Sequence, residues 1–166
     1  YRRLMADLLA LPETEQRFGI VSITKGSETN EDLPAIAEIG TIAVLRKTNT
    51  NPDGTFDIMV VGGERFDVKS ISISKAPYLI AEVKERKESP IDFDQATITL
   101  AQEKCADFMM MMDADNDNAA NDLPNEPSAL SFLIAGLLPL TAFEQQDLLN
   151  IDDANVRLKA VMKIIN

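Results

Sequence analysis

The stretch "EIGTIAVLRKTNTNPDGTFDIMVVGGERFDVKS" (residues 38–70) decides the fold of the first half of the chain. Apolar and polar residues alternate on either side of its centre, and this period of two is typical of a β-strand with one buried face. The centre, Pro52-Asp53-Gly54, is a turn signal, because proline presets one backbone angle and glycine supplies a left-handed residue. The stretch therefore predicts a β-hairpin.

The alternation changes its phase after this hairpin. Phe66 and Val68 share one face of the predicted strand, whereas Ile71 and Ile73 have the opposite parity. A one-residue slip turns every later side chain to the other face of a sheet. We therefore expect a bulge or bend near residues 69–70, which would return the later side chains to the buried side.

The segment "GGERF" (residues 62–66) within this stretch is interpreted as structural. The pair Gly62-Gly63 is expected to form a hairpin turn rather than an anion-binding nest. Phe66 is expected inside the sheet, and Arg65 beside it is expected to have a structural role.

Further strands are predicted on both sides of the hairpin. "RFGIVSITK" (residues 17–25) is a run of β-forming residues, and "APYLIAEVKE" (residues 76–85) predicts a last strand. Five or more short strands, several of them apolar on both faces, favour a curled sheet or small barrel. A short helix that ends at Pro12 precedes them, with one apolar face formed by Tyr1, Leu4, Met5, Leu8 and Leu11.

The second half of the chain predicts helices instead. Residues 92–112, 128–138, 141–149 and 152–165 have helical apolar spacing, and four helices with short connections favour a small bundle. The second helix has Ser128 as a candidate N-cap, and the third begins with a capping box formed by Thr141 and Glu144. The buried stripe of the first helix is expected to be Phe93, Ala96, Leu100, Ala101, Cys105, Phe108 and Met112, and that of the last to be Val156, Leu158, Val161, Met162 and Ile165.

Charge is distributed unevenly along the 166 residues, whose net charge is −11. Residues 1–86 hold 13 acidic and 11 basic side chains, whereas residues 87–166 hold 14 acidic and 5 basic ones. The pattern changes from strands to helices at the same place, so we expect a β-rich domain over residues 1–88 and a helical domain over residues 89–166. Partners such as nucleic acid or an anionic membrane are disfavoured, because both attract basic proteins through their phosphate groups.

Two features bear on the cellular compartment. The single cysteine, Cys105, cannot form an internal disulfide, which fits a cytoplasmic protein. The most apolar run, residues 133–140, is much shorter than the roughly 20 residues that span a bilayer. The chain begins at Tyr1 without a methionine, and we expect that an upstream segment has been removed or left out.

Five motifs, in order, resemble the N-terminal domain of Lon proteases, and especially the free-standing bacterial proteins built only from that domain. The motifs are "RFG" (17–19), "GTIA" (40–43), "PDGT" (52–55), "VGGERF" (61–66) and "PYLIAEV" (77–83). The segment "LSFLIAGLLPLTAFEQQDLLNIDDANVRL" (130–158) is similar to the helical segment of the same family. The resemblance covers nearly the whole chain.

The resemblance implies an α+β fold, with a PUA-like curled β-sheet pseudo-barrel followed by a small α-helical bundle. It implies a module without chemistry or a cofactor of its own. Such a module would hold unfolded or tagged client proteins by their exposed apolar segments, together with a protease or another quality-control partner. The family usually opens with a strand of the type F-P-L, which would precede Tyr1. A Lon protease also continues into ATPase and peptidase modules, which no segment here resembles.

Catalytic patterns are scarce in the residues themselves. The chain has no histidine and no phosphate-binding loop of the type G-x-x-x-x-G-K-[ST], so the commonest base and a nucleotide cradle are both missing. Ser22 and Lys25 fit the S-x-x-K pattern of serine acyl enzymes, which requires a helical turn. On a strand the same offset places the two side chains on opposite faces, so a Ser–Lys hydrolase is the weakest alternative.

The segment "MMMMDADNDN" (residues 109–118) offers two further hypotheses. Asp113, Asp115 and Asp117 occupy the first three ligand positions of a calcium loop, but Pro124 stands where the bidentate glutamate is needed. A calcium-responsive or structural role for the acidic loop 113–126 is therefore an alternative, and no metal is expected. Met109 and Met112 are expected in the core, whereas Met110 and Met111 are candidates for binding apolar client segments, because methionine surfaces suit varied apolar partners.

Overall fold

The computed structural model describes residues 1–25, 34–73, 76–89, 94–112 and 123–165. The chain divides into two compact units, Tyr1–Lys87 and Glu88–Asn166. The first, which we call the sheet unit, is rich in strands, and the second, the helical unit, contains α-helices. A strand-rich segment followed by a helical one is the predicted α+β order. No helix among the described residues is long and apolar enough to cross a membrane.

The sheet unit is built on an antiparallel sheet with the strand order β1-β4-β5-β6, and a small β2-β3 ribbon accompanies it. The run predicted as one strand over residues 17–25 is thus divided between two sheets. Its elements are α1 (Arg2–Leu9), a single 3₁₀ turn (Glu13–Glu15), β1 (Arg17–Ile20), β2 (Ile23–Lys25), β3 (Ala35–Ile36), β4 (Ile39–Thr50), β5 (Phe56–Ile73) and β6 (Leu79–Arg86).

The predicted hairpin is confirmed as the connection between β4 and β5. The Asn51 N–H donates to the Thr55 carbonyl over 2.8 Å, and Gly54 has a φ of +77°. An Asp53 carboxylate oxygen accepts from both the backbone N–H and the hydroxyl of Thr55. The Thr55 hydroxyl is the first cause, and its backbone N–H the second, of the lowered pKa of Asp53. The turn residues predicted from the sequence therefore determine the connection between β4 and β5.

Register shifts bend the long strands. The shift between Val68 and Ser70 confirms the bulge expected near residues 69–70, since two residues of β5 there face one step of β6. The predicted turn at Gly62-Gly63 is wrong. Both glycines lie inside β5, next to a second register shift opposite Ile42 of β4. Glycine in a strand marks a bulge as often as a turn, and here the strand continues.

Phe66 lies in the core of the sheet unit, and two glycines make room for its ring. A Cβ atom added to Gly40 would stand 2.5 Å from Phe66 Cζ and 2.6 Å from the Ile20 carbonyl oxygen. At Gly19 the same atom would be 3.0 Å from Phe66 Cζ. Phe66 and Arg65 are both buried, as their predicted structural role requires.

A second apolar cluster joins α1 to the sheet. Met5 and Leu8 pack with Leu45 of β4, so α1 buries one face as its spacing predicts. The ends of that predicted face are wrong, because Tyr1 and Leu11 are exposed. Both lie outside the eight residues of α1 and cannot follow its apolar stripe.

The helical unit contains α2 (Gln95–Met112), α3 (Pro127–Leu137), α4 (Ala142–Asn150) and α5 (Ala154–Ile164). The capping box of Thr141 and Glu144 at the start of α4 is confirmed. The core of the helical unit consists of the buried residues Ile98, Ala101, Cys105, Leu130, Ile134, Leu138, Leu148, Leu158 and Val161.

Some of the details predicted for the helical unit are wrong. Glu126, rather than Ser128, caps α3, and its carboxylate accepts from the backbone N–H groups of Ser128 and Ala129. A proline at the first helical position favours this earlier start. Ala96 and Leu100 of α2 and Val156 of α5 are exposed. The buried residues of α2 are the predicted Ala101 and Cys105, together with Ile98, which was not predicted. The predicted stripe member Phe93 lies outside the described residues.

Candidate functional site

The helix α2 carries the predicted client-binding residues at its end and is fixed at its start. The Asp94 carboxylate accepts from the Ala96 N–H over 3.1 Å and from the Thr97 hydroxyl over 2.7 Å. The Thr97 hydroxyl bond is the main reason why the pKa of Asp94 is lowered. From there the helix buries Ile98, Ala101 and Cys105 in the core of the helical unit.

The contact of α2 with the core reaches Met109. Met109 packs against the core cluster, and its Sδ atom lies 3.9 Å from the buried Cys105 Sγ. Burial raises the pKa of the Cys105 thiol. The next three residues are exposed: 50% of Met110, 85% of Met111 and 71% of Met112.

We call Met110–Met112 the methionine end of α2. The predicted burial of Met112 is wrong. The contact of α2 with the core ends at Met109, and the helix continues beyond it, so Met112 is exposed. The exposure of Met110 and Met111 leaves them accessible, and their part in client binding stays a prediction. Three exposed thioether side chains in a row form an apolar, adaptable surface.

The first three ligand positions of the predicted calcium loop, Asp113, Asp115 and Asp117, lie outside the described residues. The described residues of the loop, 123–126, make other contacts. The Glu126 carboxylate caps α3, and Gln102 of α2 donates to the Pro124 carbonyl over 3.1 Å. Among the described residues, no group of three or more acidic or cysteine side chains could hold a metal ion.

Ser22 and Lys25 lie at the two ends of a short extended segment. Ser22 directly precedes β2, and its carbonyl accepts from the Ala37 N–H over 2.8 Å. Lys25 is the exposed last residue of β2. The helical turn that the S-x-x-K pattern needs is therefore not formed here.

A buried arginine in the helical unit was missed by the sequence analysis. Arg157 of α5 is fully buried, and its Nη2 atom donates to both the Glu88 carboxylate and the Ser128 hydroxyl. Its Nε donates to the Ser131 hydroxyl over 2.8 Å, and its Nη1 donates to the Ile151 carbonyl over 2.6 Å. A buried guanidinium with four hydrogen bonds to its own chain serves to hold the helical unit together rather than to bind a ligand.

One signal for this cluster exists in the sequence. Arg157 stands three residues after Ala154 and four before Val161, both of which are buried, so it lies on the apolar stripe of α5. The ring of Phe132 completes the cluster, with its centroid 3.9 Å from the Arg157 guanidinium carbon.

A second missed feature is an exposed apolar segment in the sheet unit. The four consecutive residues Ile58, Met59, Val60 and Val61 of β5 are exposed by 36% to 60%. We call them the apolar quartet. The alternation of Phe56, Ile58 and Val60 predicts a strand with one apolar face, whereas the quartet is apolar on both faces. An uninterrupted apolar run was the available signal.

The architecture of the chain is that of Lon N-terminal domains. The N terminal domain of the Mycobacterium avium complex Lon protease covers 90% of this chain with a TM-score of 0.64, and the chain covers 89% of that domain at 18% identity. The Lon N-terminal domain protein from Xanthomonas campestris covers 89% with a TM-score of 0.58, and is covered over 88% at 16% identity. These likenesses show the fold and confirm the predicted fold class.

The family model of the ATP-dependent protease La (LON) substrate-binding domain matches residues 1–166, so the chain belongs to this family. The Lon protease of Flavobacterium johnsoniae is 23% identical over 161 residues, which cover 89% of this chain and 19% of that protein. The chain spans less than a fifth of the length of the curated relatives it matches, all of them bacterial Lon proteases. The resemblance to the Lon family is thereby confirmed.

Proposed function

We propose that this chain is a non-catalytic module that binds exposed apolar segments of unfolded or tagged client proteins. The family to which it belongs is a substrate-binding domain, which supports a role in recognising other polypeptides. The observation that carries the proposal is the methionine end of α2, where three consecutive apolar side chains are exposed. Soluble proteins expose large apolar residues in contiguous groups mainly where they bind a partner.

The chemistry of methionine fits a varied set of clients. Its unbranched, polarisable side chain adapts to apolar surfaces of different shape. Full burial of one such side chain contributes about 1.5–3 kcal/mol, so two or three of them give a weak and reversible affinity after the cost of association. A net charge of −11 keeps the module away from nucleic acids.

The wider role follows from the same family relationship. We place the module in protein quality control in the bacterial cytoplasm, where it would present clients to a protease or to another quality-control partner. It needs no cofactor for this role. The sheet unit and the helical unit would act as separate folding domains of the module, with Glu88 in the helical one because it pairs with Arg157.

Fluorescence anisotropy with a labelled, permanently unfolded polypeptide tests the proposed site. We expect saturable binding by the natural chain and a loss of at least about tenfold in affinity when Met110→Ser and Met111→Ser are combined, since even partial burial of two apolar side chains contributes more than the roughly 1.4 kcal/mol of a tenfold change. The matched control is Leu100→Ser, which removes an exposed apolar side chain from the same helix. Equal affinity of the double variant and the natural chain would exclude the methionine end as the binding site.

A further inference from the structure

The seven methionines of the chain differ in their exposure, and the exposed ones are concentrated at one helix end. Met5 is buried, and Met109 and Met162 pack against the core of the helical unit. Met59 is exposed in the apolar quartet, and the remaining three form the methionine end of α2. An oxidant that arrives from the solvent therefore meets three thioethers together at this helix end.

The sulfur atom is the reactive part of each of these side chains. When hydrogen peroxide is the oxidant, the thioether sulfur attacks one peroxide oxygen, an S–O bond forms, the O–O bond breaks, and water leaves. The sulfur gives up an electron pair in this step, and the peroxide gains it. The product, methionine sulfoxide, is polar, and reductases convert it back to the thioether. The modification is therefore reversible.

Oxidation at the methionine end does not reach the core of the helical unit. The contact of α2 with that core ends at Met109, whose Sδ atom lies 3.9 Å from the Cys105 Sγ atom. Met110, Met111 and Met112 lie beyond this point and are exposed. An oxygen atom added to these side chains stays in water, whereas an oxygen atom added to a core methionine disrupts packing. We therefore expect the fold to survive this oxidation.

Cys105 contains the other kind of sulfur group that peroxides attack, and its position protects it. The side chain is fully buried in the core of the helical unit, and this burial raises the pKa of the thiol. The thiolate is the reactive form of cysteine, so a buried and protonated thiol reacts slowly. The thioethers of the methionine end are therefore the first sulfur groups of the helical unit to react.

We propose that the methionine end of α2 is a reversible oxidation site through which peroxides control client binding. This inference rests on the proposed function and adds a means of regulation to the same surface. In the thioether form the surface is apolar and binds client segments. In the sulfoxide form each added oxygen has to lose its water before an apolar segment can pack on it, so the client is released.

Peptide mapping by mass spectrometry after a limited peroxide treatment tests the position of the site. We expect Met111, which is 85% exposed, to be oxidised at least about tenfold faster than the buried Met5. Circular dichroism should give the oxidised protein the melting temperature of the untreated one. Equal oxidation rates at Met111 and Met5, or a clear fall of the melting temperature, would overturn the inference.

Anisotropy titrations before and after peroxide test the control of binding. The labelled unfolded polypeptide contains no methionine or cysteine, and catalase removes the peroxide before each titration. We expect the affinity of the natural chain to fall at least about tenfold on oxidation, and to return after treatment with methionine sulfoxide reductases for both sulfoxide epimers. An affinity that oxidation leaves unchanged, or that the reductases do not restore, would overturn the inference.

Leucine variants locate the effect on binding. Combining Met110→Leu, Met111→Leu and Met112→Leu keeps the methionine end apolar and removes its sulfur atoms. Whatever the starting affinity of this triple variant, peroxide should not change it. Met59→Leu, which removes the exposed methionine of the sheet unit, is the matched control and should respond to peroxide as the natural chain does. An equal fall of affinity in the triple variant and in the natural chain would overturn the inference.

The affinity before oxidation separates this inference from the proposed function. If the untreated natural chain does not bind the unfolded polypeptide, client binding itself is wrong, and the inference is overturned with it. If the untreated and the oxidised chains bind equally well, client binding stands and only the inference is overturned.

Discussion

The Arg157 cluster of the helical unit and the apolar quartet of the sheet unit differ in opposite senses: the first buries a charged side chain and the second exposes apolar ones. Arg157 is a charged side chain that is fully buried, with hydrogen bonds from Nε, Nη1 and Nη2. The apolar quartet keeps four consecutive side chains of β5 exposed. The Arg157 cluster forms its hydrogen bonds within the chain, whereas the apolar quartet leaves its side chains accessible to a partner.

This difference separates stability from function. A buried cation is costly unless carboxylate and hydroxyl oxygens surround it, and here Glu88, Ser128 and Ser131 supply them. Exposed apolar groups contribute little to folding, because they remain in water in both states. We therefore expect substitutions in the Arg157 cluster to change the free energy of unfolding, and substitutions at the methionine end to change binding.

The largest effect on stability is expected from Glu88→Ala. Removing this carboxylate leaves the guanidinium of Arg157 buried without its counter-charge, which costs about 3 kcal/mol of unfolding free energy. Urea unfolding followed by circular dichroism measures the change. Glu103→Ala, an exposed substitution in the same unit, should cost no more than about 0.5 kcal/mol. If Glu88→Ala lowered the unfolding free energy as little as Glu103→Ala does, the Arg157 cluster would not stabilise the helical unit as we expect.

Two glycine substitutions should have opposite signs. Gly40→Ala forces a methyl group to within 2.5 Å of Phe66 Cζ and should destabilise the chain by about 1–3 kcal/mol. Gly136→Ala adds a methyl group to α3 where no atom lies within 4 Å, and should stabilise it by about 0.5–1 kcal/mol. Thermal unfolding measures both. No loss of stability in Gly40→Ala would show that the close packing on Phe66 does not constrain β4.

Acid should weaken the sheet unit through Asp67. Its carboxylate accepts from Arg86 Nη1 over 2.7 Å, and this bond is the main reason why the pKa of Asp67 is lowered. A lowered folded-state pKa gives stability that is present above about pH 4 and is lost as the pH falls through the folded-state pKa. The urea midpoint should fall from neutral pH to about pH 3, and less steeply in Asp67→Asn. The same slope in Asp67→Asn and in the control Asp57→Asn would exclude this ion pair as a source.

The smallest effect is expected from calcium. Asp113, Asp115 and Asp117 lack the bidentate glutamate of a calcium loop, so about 1 mM calcium should leave the melting temperature unchanged. A rise that Asp113→Asn abolishes would contradict this prediction and show that calcium binds the folded chain.

The parts of the fold set by local chemistry could be predicted from the sequence. The Pro52-Asp53-Gly54 turn, the bulge near residues 69–70 and the capping box at Thr141 depend on neighbouring residues and were predicted correctly. Gly62-Gly63 was misread because a glycine pair suits a bulge as well as a turn, and only the partner strand decides between them.

The candidate sites depended more on tertiary contacts. The exposure of Met110 and Met111 could be predicted from helical spacing, but the exposure of Met112 could not, since it depends on where the helical core ends. The exposure of the apolar quartet was not predicted, because it depends on where β6 joins β5, a pairing that strand alternation alone does not specify. Arg157 could be placed on the buried stripe, but its partner Glu88 is 69 residues away.

The most direct test of client binding is an anisotropy titration of the natural chain against one labelled polypeptide in two forms, permanently unfolded and folded. We expect saturable binding of the unfolded form with a dissociation constant below about 100 μM, equivalent to roughly −5.5 kcal/mol, and no binding of the folded form. Absence of binding to the unfolded form up to that concentration, or equal binding of both forms, would contradict it.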